Sequence, residues 1–363
     1  MKKPVVLHIT PSLMIGGAEK LLVDLLTTFQ DHPHNPFEHQ VIYFQPGPHL
    51  LKLQKLGLTT YHITGLVSHS DPTCLISLYK TIQTIQPTYL HAMLWSANFY
   101  TRIIGKILGI PTICSIHSNH NSGSIAQDNL LKSILDQLSL NWANRVVVVS
   151  QQIAQKFALP KYRLAATKII TIHNGISLPP MPKCNTNPQF TIGHIGRFVP
   201  VKNQILLIQA LALVKKTLPN FKAIIIGYGK LEQLLKQLVH QLALTENVTF
   251  VASHEPTAYY ALFDCFVLPS HQEGQSIALL QAMSFGIAPI VTTSTPSHEI
   301  VQHLQNGLIC PANQATALAN AMITLATNPK LKHQLALQAY TTIQANFNLS
   351  QTAAAYLALY QSS

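Results

Sequence analysis

Arg197 and Lys202 stand five residues apart, directly after Ile192-Gly193-His194-Ile195-Gly196, a run whose β-branched and small residues read as a strand. A turn there brings both cations to one place above the sheet. Such a pair suits a diphosphate leaving group, because Arg forks two oxygens and Lys adds a mobile point charge. The plain alternative, two solvated surface cations, is weakened by scarcity: residues 179–363 hold only ten Lys/Arg. Further along, Pro269-Ser270-His271-Gln272-Glu273-Gly274-Gln275-Ser276 ends a strand, turns, and opens a helix that carries Gln281 two turns on. Glu273 at the strand's carboxyl edge can hold sugar hydroxyls, and the helix start reached through Gly274, Gln275 and Ser276 favours phosphate charge. As the bland reading, Glu273 only caps that helix.

Gly16-Gly17-Ala18-Glu19 follows the first strand and opens a helix through Leu21, Leu22, Leu25 and Leu26. Two glycines let backbone approach an anionic ligand at a helix amino terminus, and Glu19 in the first turn can cap the helix or bond an acceptor hydroxyl. A glycine turn with a dipole-compatible acid explains the same residues without function. The dinucleotide fingerprint G-x-G-x-x-G is not formed there. Gly227-Tyr228-Gly229, after another strand, repeats the glycine turn.

The elements that must position these residues are short β-branched runs alternating with helical patterns, the signature of βαβ units and parallel sheets. In the first half the strands are Val5 to Thr10, Gln40 to Phe44, Thr59 to Ile63, Tyr89 to Ala92, Thr112 to Ile116, Val146 to Ser150 and Lys168 to His173. In the second they are Phe190 to Ile195, Ala223 to Ile226, Val248 to Val251, Cys265 to Leu268 and Ala288 to Val291. Ala315 to Tyr360 is strand-free and reads as three helices, broken near Asn328-Pro329 and Phe347-Asn348. Proline density between Leu178 and Pro188 forbids helix. The expected domains are thus residues 1–178, a linker at 179–189, residues 190–345, and a helix at 346–363 that returns to the first domain. In open α/β sheets ligands lie beyond the carboxyl ends of the strands, so two such sheets facing each other would form the binding cleft.

A chain of 363 residues, 47% hydrophobic and 10% charged, exceeds one core and is not disordered. Its net charge of +11 divides as 14 Lys/Arg against 7 Asp/Glu in residues 1–178 and 10 against 6 beyond. No run of Lys/Arg exceeds two, so nucleic acid is a poor partner, whereas phosphorylated ligands and peripheral contact with an anionic bilayer fit. Five scattered cysteines, Cys74, Cys114, Cys184, Cys265 and Cys310, form no C-x-x-C pair and read as buried thiols of a reducing compartment, the cytoplasm. The amino terminus reads as a strand rather than a leader, and no apolar stretch reaches the ~20 residues of a membrane span.

Together these segments resemble the family-four retaining glycosyltransferases over nearly the whole chain. The resemblance rests on Gly16 to Glu19, Ser-Ile-His117-Ser, Val-Val-Val-Ser150, Ile-His-Asn174-Gly175-Ile, Gly196-Arg197 with Lys202, Ile-Gly227-Tyr-Gly229, Glu273-Gly274, and Glu299-Ile-Val with Asn306-Gly307. It implies the GT-B fold: two facing Rossmann-like, doubly wound α/β domains with carboxy-terminal helices. It implies a UDP- or GDP-sugar donor and a glycan, lipid-linked or lipopolysaccharide-type acceptor, with no cofactor and no metal. Carried onto this chain, Arg197 and Lys202 bind the donor diphosphate, Glu273 bonds the transferred sugar, and His117 sits against the anomeric region. Gly16, Gly17, Gly227, Gly229, Gly274, Gln275, Ser276 and Gln281 fall on the donor side, Glu19 and Asn174 on the acceptor side. Two departures stand out. The second acid of the family's E-x7-E motif, a ribose ligand, is Gln281 here, and Ser294-Thr295-Pro296-Ser297-His298 lacks the glycines common before Glu299.

Two other functions remain open on the sequence. A nucleotide-sugar epimerase would need further acids near Glu273 and would yield an epimer without acceptor. A catalytically weak sugar-nucleotide binder, suggested by Gln281, would bind donor without turnover.

Overall fold

The computed structural model describes residues 3–64, 72–117, 130–162, 164–179, 189–253, 255–293 and 296–362. It divides into two compact units, Met1–Gly175 with Leu349–Ser363, and Ile176–Asn348. Most of the expected linker, together with Cys184, Ser294, Thr295 and the loop Ser118 to Gln127, lies outside the described residues.

The first unit runs β1 (Val5–Ser12), α1 (Gly17–Asp31), β2 (Glu38–Gln45), α2 (His49–Lys55), β3 (Thr59–His62), α3 (Pro72–Ile85), β4 (Tyr89–Met93), α4 (Trp95–Leu108), β5 (Thr112–Ile116), α5 (Leu130–Leu140), β6 (Arg145–Val148), α6 (Gln151–Phe157) and β7 (Ile169–Thr171). All seven strands pair in parallel in the order β3-β2-β1-β4-β5-β6-β7. The order reverses between β1 and β4, so the carboxyl end of β1, where Gly16 and Gly17 follow, is the switch point at which such sheets bind ligands.

The second unit runs β8 (Thr191–Ile195), α7 (Gln204–Thr217), β9 (Lys222–Ile226), α8 (Glu232–Gln241), β10 (Val248–Val251), β11 (Cys265–Leu268), α9 (Ile277–Ser284), β12 (Ala288–Thr292), β13 (Leu308–Cys310), α10 (Ala315–Thr327) and α11 (Pro329–Asn346). Its sheet is also parallel, ordered β10-β9-β8-β11-β12-β13. Here the switch point lies between β8 and β11, the strands that precede Arg197 and Glu273. Every residue of β11 and β12 is buried, which is why both read as unbroken apolar runs rather than alternating ones.

Some expected bounds shift. Val149 and Ser150 leave β6, because the Ser150 hydroxyl caps α6 by accepting from the Ile153 amide at 3.3 Å. Edge strand β13 carried too few residues to show in the pattern. The helix breaks fall where Asn328 accepts from the Leu331 amide at 3.0 Å to start α11, and at Phe347. The last helix, α12 (Leu349–Gln361), then packs in the first unit with α1.

Beneath α12 lies a buried polar layer. His8, His39 and His91 come from neighbouring strands β1, β2 and β4. His8 Nε2 meets His39 Nδ1 at 3.0 Å, the Tyr360 hydroxyl meets His91 Nδ1 at 2.7 Å, and Ser115 Oγ bridges His91 Nε2 at 2.8 Å and the Tyr356 hydroxyl at 3.2 Å. Burial, then the mutual charges of His39 and His91, push the His8 pKa well down. Burial with Lys3 brings His39 to about 4, and burial with His117 and His39 brings His91 to about 3. No helix among the described residues is long and apolar enough to cross a membrane.

Candidate active site

The loop leaving β8 is shaped by the glycine turn after β9. Gly196 donates to the Ile226 carbonyl at 3.0 Å and Phe198 to the Tyr228 carbonyl at 2.8 Å, so the two segments clasp like an extension of the sheet. Gly227 and Gly229 have φ of 154° and 150°, and a Cβ on them would lie 2.1 Å from the Gly196 oxygen and 2.5 Å from the Phe198 oxygen. Only glycine tolerates both the conformation and the approach. Phe198 is buried by this clasp while Arg197 stays exposed, its guanidinium making no ion pair among the described residues. The Arg197 carbonyl accepts from Gln204 Nε2 at 2.9 Å, which fixes the backbone beneath the exposed side chain.

Gln204 in turn reads the state of His194. The fully buried His194 ring faces the Val267 carbonyl through Nδ1 at 2.9 Å and Gln204 Nε2 through Nε2 at 3.3 Å. A carbonyl only accepts and an amide nitrogen only donates, so the proton sits on Nδ1 and the ring is neutral. Burial, outweighing the Val267 bond, lowers its pKa to about 4. His194 therefore braces β8 against β11.

Lys202 ends a short 3-10 turn, Pro200–Lys202, that is stitched to the loop after β11. His271 donates to the Val201 carbonyl at 2.8 Å and Asn203 Nδ2 to the Pro269 carbonyl at 3.3 Å. This brings the Lys202 ammonium into an ion pair with Glu273 Oε1, which also accepts from the Ser270 hydroxyl at 2.8 Å. Both bonds fall on Oε1. The capping alternative for Glu273 is corrected: Ser276 caps α9, its hydroxyl accepting from the Leu279 amide at 3.3 Å. Gly274, Gln275 and Ser276 are buried between the carboxylate and that helix. Gln281, one face along α9, accepts through Oε1 from the buried Tyr260 hydroxyl at 3.2 Å, a bond the Ala278 carbonyl shares at 3.1 Å.

In the first unit, Glu19 lies in the first turn of α1. Its carboxylate folds over Gly16, where a Cβ would lie 2.2 Å from Oε2, and accepts from the Ser12 hydroxyl at 2.9 Å. Glu19 thus ties the start of α1 to the end of β1 and leaves no room for a side chain at position 16. His117 follows β5 with both ring nitrogens shielded and without a hydrogen-bond partner among the described residues, and burial lowers its pKa to about 4. A neutral imidazole there can accept or donate, but not act as a fixed cation. Asn174 is buried after β7. Asn306, quoted for the resemblance, is structural: it accepts from the Gln302 amide at 2.7 Å and donates to the Ile300 carbonyl and Thr342 hydroxyl at 3.0 Å each.

The residues that sequence reading missed are Ser270, Gln204 and Tyr260. Ser270 carried one signal, its place three residues before Glu273 at a strand end. Gln204 and Tyr260 carried none, since their partners lie on other elements.

Comparison with known proteins bears on the family and the fold. The Glycosyltransferase Family 4 model matches residues 15–178 and the Glycosyl transferases group 1 model residues 183–342. An uncharacterised glycosyltransferase of Haemophilus influenzae is 25% identical over 60% of this chain, which spans 61% of that relative's length. The UDP-Gal:alpha-D-GlcNAc-diphosphoundecaprenol alpha-1,3-galactosyltransferase of Escherichia coli is 22% identical over 94% of this chain and 92% of its own. Anabaena HepE, solved in complex with UDP-glucose, superposes with a TM-score of 0.84 at 20% identity, covering 99% of both chains. With one model on each unit and the two-sheet architecture in common, the chain belongs to the family-four glycosyltransferases with the GT-B fold.

Proposed function

We infer that this protein is a retaining hexosyltransferase that moves a sugar from a UDP- or GDP-sugar to a glycan or lipid-linked acceptor without a metal. The observation that carries the reading is the Lys202–Glu273–Ser270 cluster at the switch point of the second sheet, with Arg197 exposed on a backbone held by Gln204. A diphosphate meeting Arg197 and Lys202 finds the charge that a divalent cation would otherwise supply. Glu273, its Oε1 already ordered, offers Oε2 to sugar hydroxyls. UDP-glucose is the first donor to test, since HepE was solved with it.

In this mechanism the acceptor oxygen attacks from the face the diphosphate leaves, through an oxocarbenium-like transition state, and the leaving phosphate oxygen takes the acceptor's proton. Arg197 and Lys202 stabilise the charge that develops on that oxygen. No protein nucleophile is required. The neutral His117 lies against the anomeric region, and Glu19 and Asn174 serve the acceptor side. A cytoplasmic protein with a lipid-linked acceptor would touch the inner membrane face peripherally.

A weak binder is the second reading, because Tyr260 already occupies the Gln281 oxygen that would face a ribose hydroxyl. Calorimetry with UDP-glucose and GDP-mannose, followed by product trapping and determination of anomeric configuration, tests both. Binding with transfer and retention supports the proposal. Inversion, or binding without turnover on any acceptor, rejects it.

A further inference from the structure

Among its described side chains, helix α5 buries Leu140 beside two polar residues and exposes three aliphatic ones. Its inner side carries Asp136 and Ser139, both buried and both bonded to the buried Arg102 of α4, the hydroxyl at 2.9 Å and the carboxylate in an ion pair. Its outer side carries Ile134, Leu135 and Leu138, with Trp142 in the turn that follows, and all four are exposed, Leu138 by 52% and Trp142 by 44%. At helical spacing these positions form one stripe. Surface helices of globular proteins place such residues the other way round. A single exposed leucine needs no explanation, but a stripe opposite a buried ion pair marks a contact surface.

The stripe runs into a cationic pocket. A shallow cavity of about 440 Å³ at the amino ends of β5 and β6 is lined by Trp142, Lys106, Lys168, Ile110 and Pro111 among others. Ile107, beside Lys106 at the end of α4, is exposed by 64%. Lys168 donates to the Asn141 carbonyl at 2.7 Å and the Ala143 carbonyl at 3.0 Å, tying its charge to the turn that holds Trp142. Burial, then the nearby charges of Arg145 and Lys106, lower the Lys168 pKa, as three crowded cations require. Carboxylates that could neutralise them are few. Residues 72–178 hold nine Lys/Arg against Asp128 and Asp136, whereas residues 1–71 hold five of each sign. Asp136 is spent on Arg102, and Asp128 lies outside the described residues.

We propose that the outer face of α5 and the adjoining Lys106–Arg145–Lys168 rim dock this protein on an anionic lipid bilayer. Leu135, Leu138 and Trp142 enter the boundary between headgroups and acyl chains, and the three cations meet lipid phosphates. A second copy of the chain fits less well, because a two-fold contact would set the same cations against themselves. Nucleic acid would use the cations but not the aliphatic stripe. This surface localises the peripheral contact proposed above and is independent of the donor chemistry.

The chain has two tryptophans, Trp95 and Trp142, so Trp95→Phe leaves Trp142 as the sole reporter. With vesicles of phosphatidylcholine and phosphatidylglycerol, co-sedimentation and a blue shift of Trp142 emission are expected, both reduced by salt and by pure phosphatidylcholine. Leu138→Ser with Trp142→Ser should weaken vesicle binding at least about tenfold. Lys106→Gln and Arg145→Gln should each weaken it about fivefold. Calorimetric binding of UDP-glucose and the melting temperature stay unchanged in all of them. Unmoved Trp142 emission, equal binding to both vesicles, or a dimer that dissolves in the serine variant would overturn the proposal. A variant that fails to fold leaves the emission of the Trp95→Phe chain to decide. Vesicle binding without donor binding would leave this surface standing and reject the transferase reading instead.

Discussion

The Lys202 ammonium is ion-paired with the Glu273 carboxylate, 71 residues further along the chain, with the two side chains 17% and 10% exposed. The pair joins the loops after β8 and β11, so neither charge is bare before a donor arrives. Removing the ammonium alone leaves Glu273 to repel a diphosphate. Lys202→Ala should therefore lower kcat by about a hundredfold or more and weaken UDP-glucose binding. Adding Glu273→Gln should restore part of the binding but not the turnover, a non-additive cycle readable by calorimetry and initial rates.

Arg197 makes no ion pair among the described residues and is exposed, so its loss should cost catalysis and not stability. Arg197→Ala is expected to reduce kcat by about 10² to 10³ with an unchanged melting temperature. Lysine there should rescue only part, since it cannot fork two oxygens. Normal turnover in the alanine variant would remove Arg197 from the mechanism.

The Gln281 oxygen accepts from Tyr260, and restoring an acid should add a charge-assisted acceptor for the ribose. Gln281→Glu should tighten UDP binding about tenfold, measured by calorimetry. Tyr260→Phe, which releases the Gln281 oxygen, should tighten it by less.

Gly227 is bound by both its φ of 154° and its approach to the Gly196 oxygen. Gly227→Ala should destabilise the second unit by about 1–3 kcal/mol and loosen the Arg197 loop. Denaturant melts and donor affinity should fall together.

The buried layer of His8, His39 and His91 makes the first unit acid-sensitive. Each ring is neutral when folded and protonates near 6.5 when unfolded, so the unfolded chain binds more protons below that pH. Stability is complete above about pH 6.5 and is lost as pH falls toward 4 and 3, the values of His39 and His91. The loss should reach about 1–2 kcal/mol for His39 alone by pH 5. In melts across this window, His39→Phe should flatten the acid slope; an unchanged slope would assign the sensitivity elsewhere.

Much of this was legible in the residue pattern. A parallel strand buried on both faces writes an unbroken apolar run, so β11 was readable to the residue, as were β5 and β10 from their β-branched residues, and Asn328-Pro329 stopped α10 because proline and its neighbour cannot continue a helix. The glycine turn at 227 and 229 was readable because other residues rarely take those backbones, with φ of 154° and 150°. What the sequence determined by itself was therefore local: periods, caps, turns, and the strand ends where chemistry collects. That Lys202 would spend its charge on Glu273, that Ser276 and not Glu273 would cap α9, that Tyr260 would reach Gln281, and that α5 would turn Leu135 and Leu138 outward were decided only by the tertiary structure. Each depends on which strands lie side by side, and a pairing energy between residues far apart in the chain leaves no periodic trace along it.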